Sequence, residues 1–104
     1  MDTLKGTVTR VIDGDSFIVR IDWKGLRNRF AYKDNERVRL YGRNAPDLGA
    51  PGGYDAYETL RDLIETRRIH LDVISRDTYG RLVASFSLLP DWRIPAVAGA
   101  TRRN

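Results

Sequence analysis

The chain is 104 residues long, with 41% hydrophobic and 31% charged residues, the balance of one small globular domain and neither a disordered nor a membrane-spanning segment. It contains no cysteine and one histidine, His70, which excludes disulfides, thiolate metal sites, cysteine nucleophiles and any two-histidine metal centre. A net charge of +4 rests on 15 Arg against 3 Lys, opposed by 11 Asp and 3 Glu, so guanidinium forks suited to phosphate stand beside carboxylates suited to a hard cation.

Gly6 to Ile12 is rich in β-formers and runs into Asp13-Gly14-Asp15, a tight-turn signal. Phe17, Val19, Ile21 and Trp23 then alternate with Ser16, Ile18, Arg20 and Asp22, which predicts a strand with the first set buried. Lys24-Gly25 predicts a turn into a third strand over Leu26–Tyr32. Lys33-Asp34-Asn35 predicts another, into a fourth strand around Val38-Arg39-Leu40. A loop with Pro46 and Pro51 follows, and then the period changes. Ala56, Tyr57, Leu60, Leu63 and Ile64 fall on one face of a helix running from Tyr54 to about Arg68. Alternation resumes at Ile69, Leu71 and Val73, turns over Arg76–Gly80, and ends in a strand over Arg81–Leu88. Five or so strands, with one main helix after the opening meander, are the element order of an OB-type barrel, so the expectation is a mainly β fold, a five-stranded OB-like barrel with that helix packed against it. Residues 1–88 form the domain, and 89–104, with Pro90 and Pro95, read as an irregular tail. No apolar run reaches the ~18 residues of a spanning helix. The Met-Asp-Thr-Leu-Lys start carries no leader-like stretch, which favours the cytoplasm; a secreted mature form would read the same.

Three short stretches carry candidate chemistry. Asp13-Gly14-Asp15-Ser16 sets two acids across a glycine. Val38 to Asp47 places an arginine, Arg39, five residues before an amide and eight before an acid. Asp77-Thr78-Tyr79-Gly80-Arg81 sets a tyrosine and an arginine around a turn glycine. Each has a plain reading as well: a turn, an exposed strand arginine, and a solvated turn. Arg39 must face away from Val38 and Leu40 on its strand. Arg27, Arg29, Arg37 and Arg43 flank these stretches and either follow a nucleic-acid backbone or form a solvated charged face. His70 reads as an outward strand residue without a catalytic role.

Taken together, in this order and spacing, the three stretches resemble the staphylococcal-nuclease (thermonuclease) family. That family shares an Asp-Gly-Asp-Thr/Ser turn, an Arg-Leu segment leading into Asp-Thr/Ala-Pro-Glu, a helix, and Tyr-Gly-Arg. The resemblance covers about residues 5–88 and implies an OB-like barrel and Ca²⁺-dependent hydrolysis of DNA and RNA with little sequence preference, single strands favoured. It implies Asp15 as a Ca²⁺ ligand with Asp13 supporting the metal's water, and Asn44 and Ala45 at the other ligand positions. It implies Arg39 and Arg81 as the grip on the scissile phosphate, Asp47 as the group that activates water, and Tyr79 as a side chain lying along the bound nucleotide.

The sequence departs from the family at three places. Asn44 stands where the family has an aspartate, which keeps an oxygen and loses a charge. Asp47 stands where the family has a glutamate, which draws the carboxylate back by roughly 1.5 Å, a displacement of the size that can cost about 10²-fold in rate. The family's terminal helix has no counterpart in 89–104, so that tail is a frayed terminus, or it crosses the barrel differently, or a second chain covers the exposed barrel surface, with Trp92, Ile94 and Val97 as contacts. The expected state is a monomer or a weak homodimer through the tail. Two other readings stay open: a catalytically weak or inactive nucleic-acid-binding OB module, and an interaction module completed by a partner.

Overall fold

A computed structural model describes residues 1–90, and five strands and one helix account for most of them. They are β1 (Asp2–Asp13), β2 (Ser16–Lys24), β3 (Asn35–Leu40), α1 (Gly53–Ile64), β4 (Arg68–Arg76) and β5 (Leu82–Leu88). The strands close into a barrel in the order β1-β2-β3-β5-β4, antiparallel except for the parallel β3–β5 pair. Closure leaves no free sheet edge. The twelve residues of β1 pair with β4 through Asp2–Thr7 and with β2 over Leu4–Asp13. Bulges at Lys5/Gly6, Val8/Arg10 and Val11/Asp13 bend one strand enough to serve two neighbours.

Alternation places the core inside. Leu4, Val8 and Val11 of β1 meet Phe17 and Val19 of β2, Val38 and Leu40 of β3, Ile69 and Leu71 of β4, and Leu82 and Ala84 of β5. Leu60 and Ile64 of α1 join the same cluster, and Phe86 stands edge-on to Phe17 at 6.3 Å between ring centres. The predicted five-stranded OB-like barrel with one helix is what residues 1–90 form. No helix among the described residues is long and apolar enough to cross a membrane.

Several boundaries differ from the sequence expectation. Leu26–Tyr32 is not a strand. Its backbone is satisfied by side chains instead of a ladder: Asn28 bridges Thr3 through both its amide oxygen and nitrogen, and Asp2 accepts the N–H groups of Arg29 and Phe30. Trp23, expected inward, is 40% exposed at the end of β2, where the Lys5 ammonium lies 4.6 Å from its ring centre. The helix stops at Ile64, about one turn early. The Glu65 carboxylate turns to accept the Val11 N–H, Thr66 donates its N–H to Val8, and Val8 donates to Arg67, so β1 takes over the backbone that a longer helix would use. Leu63, placed on the apolar face by its spacing, is exposed. His70 faces outward as expected, with Nε2 3.0 Å from the Asp72 carboxylate. Trp92, Ile94 and Val97, and with them the expected course of the tail, lie outside the described residues.

Candidate active site

The turn between β1 and β2 is built on Asp13. Its Oδ1 accepts the Asp15 N–H at 3.0 Å and the Ser16 hydroxyl at 2.7 Å, an Asx turn that fixes the next carboxylate. Asp15 is only 7% exposed, and its two oxygen-bearing groups tie down two neighbours. Its carbonyl accepts the Leu40 N–H at 2.8 Å and its Oδ2 accepts the Ala45 N–H at 3.2 Å, so the end of β3 and the loop after it are both held to the turn. Gly14 lets this happen. A Cβ there would stand 2.6 Å from the Ala56 Cβ and 2.7 Å from the Ala45 Cβ, so only a glycine between two alanines allows turn, helix and loop to converge. Gly53 plays the same part for Asp47, because a Cβ on it would overlap the Asp47 carbonyl oxygen.

The two carboxylates share one small volume and titrate apart. Burial first, and then the adjacent Asp13 carboxyl, push Asp15 above the usual carboxylate range. Burial would raise Asp13 too, but hydrogen bonds from Ser16 and Asp15 hold it below that range. Arg39 pairs with Ser16 across the β2–β3 ladder and leaves the barrel on the side away from Val38 and Leu40. One terminal nitrogen of its guanidinium donates to the Asn44 amide oxygen at 3.1 Å. The Asp47 carboxylate is exposed and makes no hydrogen bond or ion pair among the described residues.

The β4–β5 turn supplies the opposite wall. Asp77 Oδ1 accepts the N–H groups of Tyr79 and Arg81, both at 2.9 Å, while Oδ2 accepts Arg81 Nε at 2.8 Å. Burial alone would raise the Asp77 carboxyl; these bonds from Arg81 and Tyr79 hold it down. Arg81 is thereby gripped through Nε, which leaves its two terminal nitrogens for something else. Its guanidinium carbon lies 5.4 Å from the centre of the Tyr79 ring, and Tyr79 itself is 84% exposed. Behind the turn, Arg76 bonds the Gly80 carbonyl at 2.7 Å and both oxygens of the buried Glu36 at 3.1 and 3.2 Å.

All eight residues proposed from the sequence, Asp13, Asp15, Arg39, Asn44, Ala45, Asp47, Tyr79 and Arg81, line one polar concavity of about 440 Å³, joined by Asp77 and Thr78. Of the flanking arginines, Arg27 and Arg29 do not belong here. They sit in the loop after Lys24, at the end of β2 away from the Asp13–Asp15 turn, while Arg37 shares the outer side of β3 with Arg39. Sequence reasoning missed Asp77 as the residue that aims Arg81. An acid four positions before an arginine across a turn glycine was the signal available. Asp13, Asp15, the Asn44 amide and the Ala45 carbonyl make an oxygen-only set, the chemistry a hard cation prefers, and the two opposed carboxylates supply the charge. Among the described residues no three acidic or histidine side chains cluster as a metal site, so such a set would be sparse and completed by water.

No family model matches the chain. It is 36% identical over 100 residues to a protein named probable endonuclease LCL3 of Yarrowia lipolytica, covering 78% of this chain and 44% of that protein. Against probable endonuclease lcl3 of Schizosaccharomyces japonicus it is 32% identical over 108 residues, 86% of this chain and 46% of the relative. Against the protein ParB of Escherichia coli it is 32% identical over 82 residues, 79% and 41% of the two chains. The chain thus spans less than half the length of the curated relatives it matches.

Proposed function

We propose that this domain is a nuclease of the staphylococcal-nuclease type, hydrolysing phosphodiester bonds of DNA and RNA with the help of Ca²⁺ and with little regard for sequence. The observation that carries the reading is the meeting of two guanidiniums, two opposed carboxylates and the free Asp47 carboxylate around one concavity. The names of the relatives, probable endonucleases among them, point to the same class of reaction.

In this reading the scissile phosphate lies between Arg39 and Arg81. Charge grows on the non-bridging phosphate oxygens as water attacks, and preorganised guanidinium donors oppose that charge without reorganising. Asp77 holds Arg81 by Nε, so the terminal nitrogens meet the phosphate in a fixed fork. Asp47 orients the attacking water and takes its proton as the new phosphorus–oxygen bond forms and the bond to the leaving oxygen breaks. Tyr79 offers its exposed ring to the adjoining nucleotide. Asp13, Asp15, Asn44 and Ala45 are the residues that would hold Ca²⁺, whose charge would add to that of the two arginines.

Cleavage of a fluorescent single-stranded DNA tests this, with and without about 10 mM Ca²⁺, above the weakest sites of this type, beside Arg81→Ala. Cleavage that needs both the cation and Arg81 is the expected result. A folded protein that leaves the strand intact over hours overturns it. One observation favours a second reading, a binding module without turnover: the Asn44 oxygen is engaged by Arg39 rather than open to a cation. That module would bind strands in a salt-sensitive way and ignore Ca²⁺.

A further inference from the structure

We infer that the outer face of β1, β2 and β3 is a track for the backbone of a single-stranded nucleic acid, carried by Arg37, Arg10 and Arg20 around Ile18 and leading to the Arg39 end of the concavity. The inference rests on the proposed function for what happens at the end of the track, but not for the binding along it.

The pairing register draws the track. Ser16 lies opposite Arg39, Ile18 opposite Arg37, and Arg20 opposite Asn35, while on the other side of β2 Arg10 lies opposite Ile18. Cross-strand partners project to the same face of a sheet. Arg10, Ile18 and Arg37 therefore form a row across three strands, with Arg39 one step nearer the Asp13–Asp15 turn and Arg20 one step farther from it. Phe17, Val19, Val38 and Leu40 point the other way, into the core. Same-face residues along a strand are about 6.6 Å apart and neighbouring strands about 4.8 Å, steps that suit successive phosphates of an extended strand.

Charge held in a strand register sets this face apart from the loops, where the side chains of Arg27, Arg29 and Arg43 are also exposed and hold no carboxylate among the described residues but belong to no ladder. Arg61, Arg68, Arg76 and Arg81 each hold a carboxylate. Arg10, Arg20 and Arg37 are exposed and hold no carboxylate or side-chain hydrogen bond among the described residues. The acid on the same side of β2, Asp22, is taken by Arg68 at 2.6 Å. Three guanidiniums in register, none hydrogen-bonded to a carboxylate among the described residues, continue into a fourth in the concavity and fit a polyanion, with the nearby Asp22 offsetting only part of the Arg20 charge. A single strand fits better than a duplex. Half-buried Ile18 is an apolar seat amid the arginines for a sugar or base edge, and the Tyr79 ring beyond Arg81 can stack only on an unpaired base.

Binding is measured with a chelator present, so that cutting plays no part. Fluorescence anisotropy follows labelled single strands of roughly 4 and roughly 16 nucleotides, the span of site sizes on OB barrels, over a series of salt concentrations. Native protein binds the longer strand more tightly. The variant Arg10→Ala/Arg20→Ala/Arg37→Ala loses that advantage, and its log–log salt slope becomes shallower by about 2, at about 0.7 per phosphate contact on single strands. Arg27→Ala/Arg29→Ala/Lys33→Ala removes the same charge from the loop at the far end of β2 and keeps both the slope and the advantage. Thermal unfolding of both variants confirms that they fold. Equal losses in the two triple variants, or no loss in the first, overturn the track even where the protein cuts DNA. Strand binding that needs the three arginines in a protein that cuts nothing upholds the track and overturns the nuclease.

Discussion

Two concavities of the barrel are built on opposite terms. One, about 560 Å³, is walled by Met1, Phe30, Tyr32, Val73, Ile74 and Leu82, and the polar groups of Asp2, Tyr32 and Arg76 on its rim are already partnered. Asp2 accepts the N–H groups of Arg29 and Phe30 and the Tyr32 hydroxyl, and Arg76 is bound on both sides by Glu36 and the Gly80 carbonyl. The other, about 440 Å³, holds two carboxylates against each other, an Asp47 carboxylate with no partner among the described residues, and an Arg81 side chain gripped by one nitrogen of three. Unmatched charge is costly to hold in a fold, whereas an apolar hollow with satisfied rims asks for nothing further. Volume alone favours the first concavity; uncompensated charge favours the second, where the proposed chemistry lies.

Substitutions can break that contrast. The largest effect is expected at Arg39→Ala and Arg81→Ala, each lowering kcat by roughly 10²–10³-fold, the usual cost of removing one preorganised donor to developing charge. Ile74→Ala, in the apolar hollow, leaves kcat unchanged in the same assay. Asp77→Asn comes next. It keeps an oxygen for the N–H groups of Tyr79 and Arg81 but puts an NH₂ where Arg81 Nε needs an acceptor, so the fork is no longer aimed. Loss of aim costs up to about 10²-fold, read as a fall in kcat in a variant whose melting curve shows it folded.

The fold class was legible in the sequence, and so was the meeting of the proposed site residues on one concavity; several element boundaries were not. Asp15, Arg39 and Arg81 are local features, each fixed by strand parity or turn chemistry within a few residues, and the three stretches keep their order. The Leu26–Tyr32 segment was misread because its apolar and charged residues mimic a strand. What decides its conformation is distant: Asn28 on Thr3, and Asp2 on Arg29 and Phe30. The helix end was misread for the same reason, since Glu65 and Thr66 answer to Val8 and Val11. Gly14 was legible as a turn glycine, but nothing local showed that it or Gly53 could be no other residue, because that necessity lies in backbone and side chains that approach from elsewhere.

Those glycines supply the middle of the range. Gly14→Ala forces its new methyl against Ala45 and Ala56, and overpacking of this kind costs about 1–3 kcal/mol. Chemical denaturation should report that loss. Cleavage by the fraction that remains folded should fall as well, because Ala45 is held to Asp15 by the bond that the methyl displaces. A destabilised protein with full activity would separate the packing of the turn from its chemistry.

The smallest effect is the most direct check on the independence of the two concavities. Asp2 is buried at the apolar one, and the Tyr32 hydroxyl, the Arg29 N–H and the Phe30 N–H hold its carboxyl below its ordinary value of 3.8 against the opposing effect of burial. A carboxyl depressed on folding stabilises the folded state above its unfolded pKa, and that stability drains away as the pH falls through the folded pKa. Asp2→Asn should therefore unfold more readily than the native chain at neutral pH. The gap between the two should narrow as the pH drops below 3.8, because there the native carboxyl is itself becoming neutral. Tyr32→Phe removes the strongest of the three donors, so its native-minus-variant gap should narrow over the same range. Neither variant touches Arg39, Asp47 or Arg81, and at a temperature where both are folded each should cleave as fast as the native chain. A slow but folded Asp2→Asn would mean that the loop over the apolar hollow and the charged wall opposite act as one unit, with Arg76, shared by Glu36 and the Gly80 carbonyl, as the link between them.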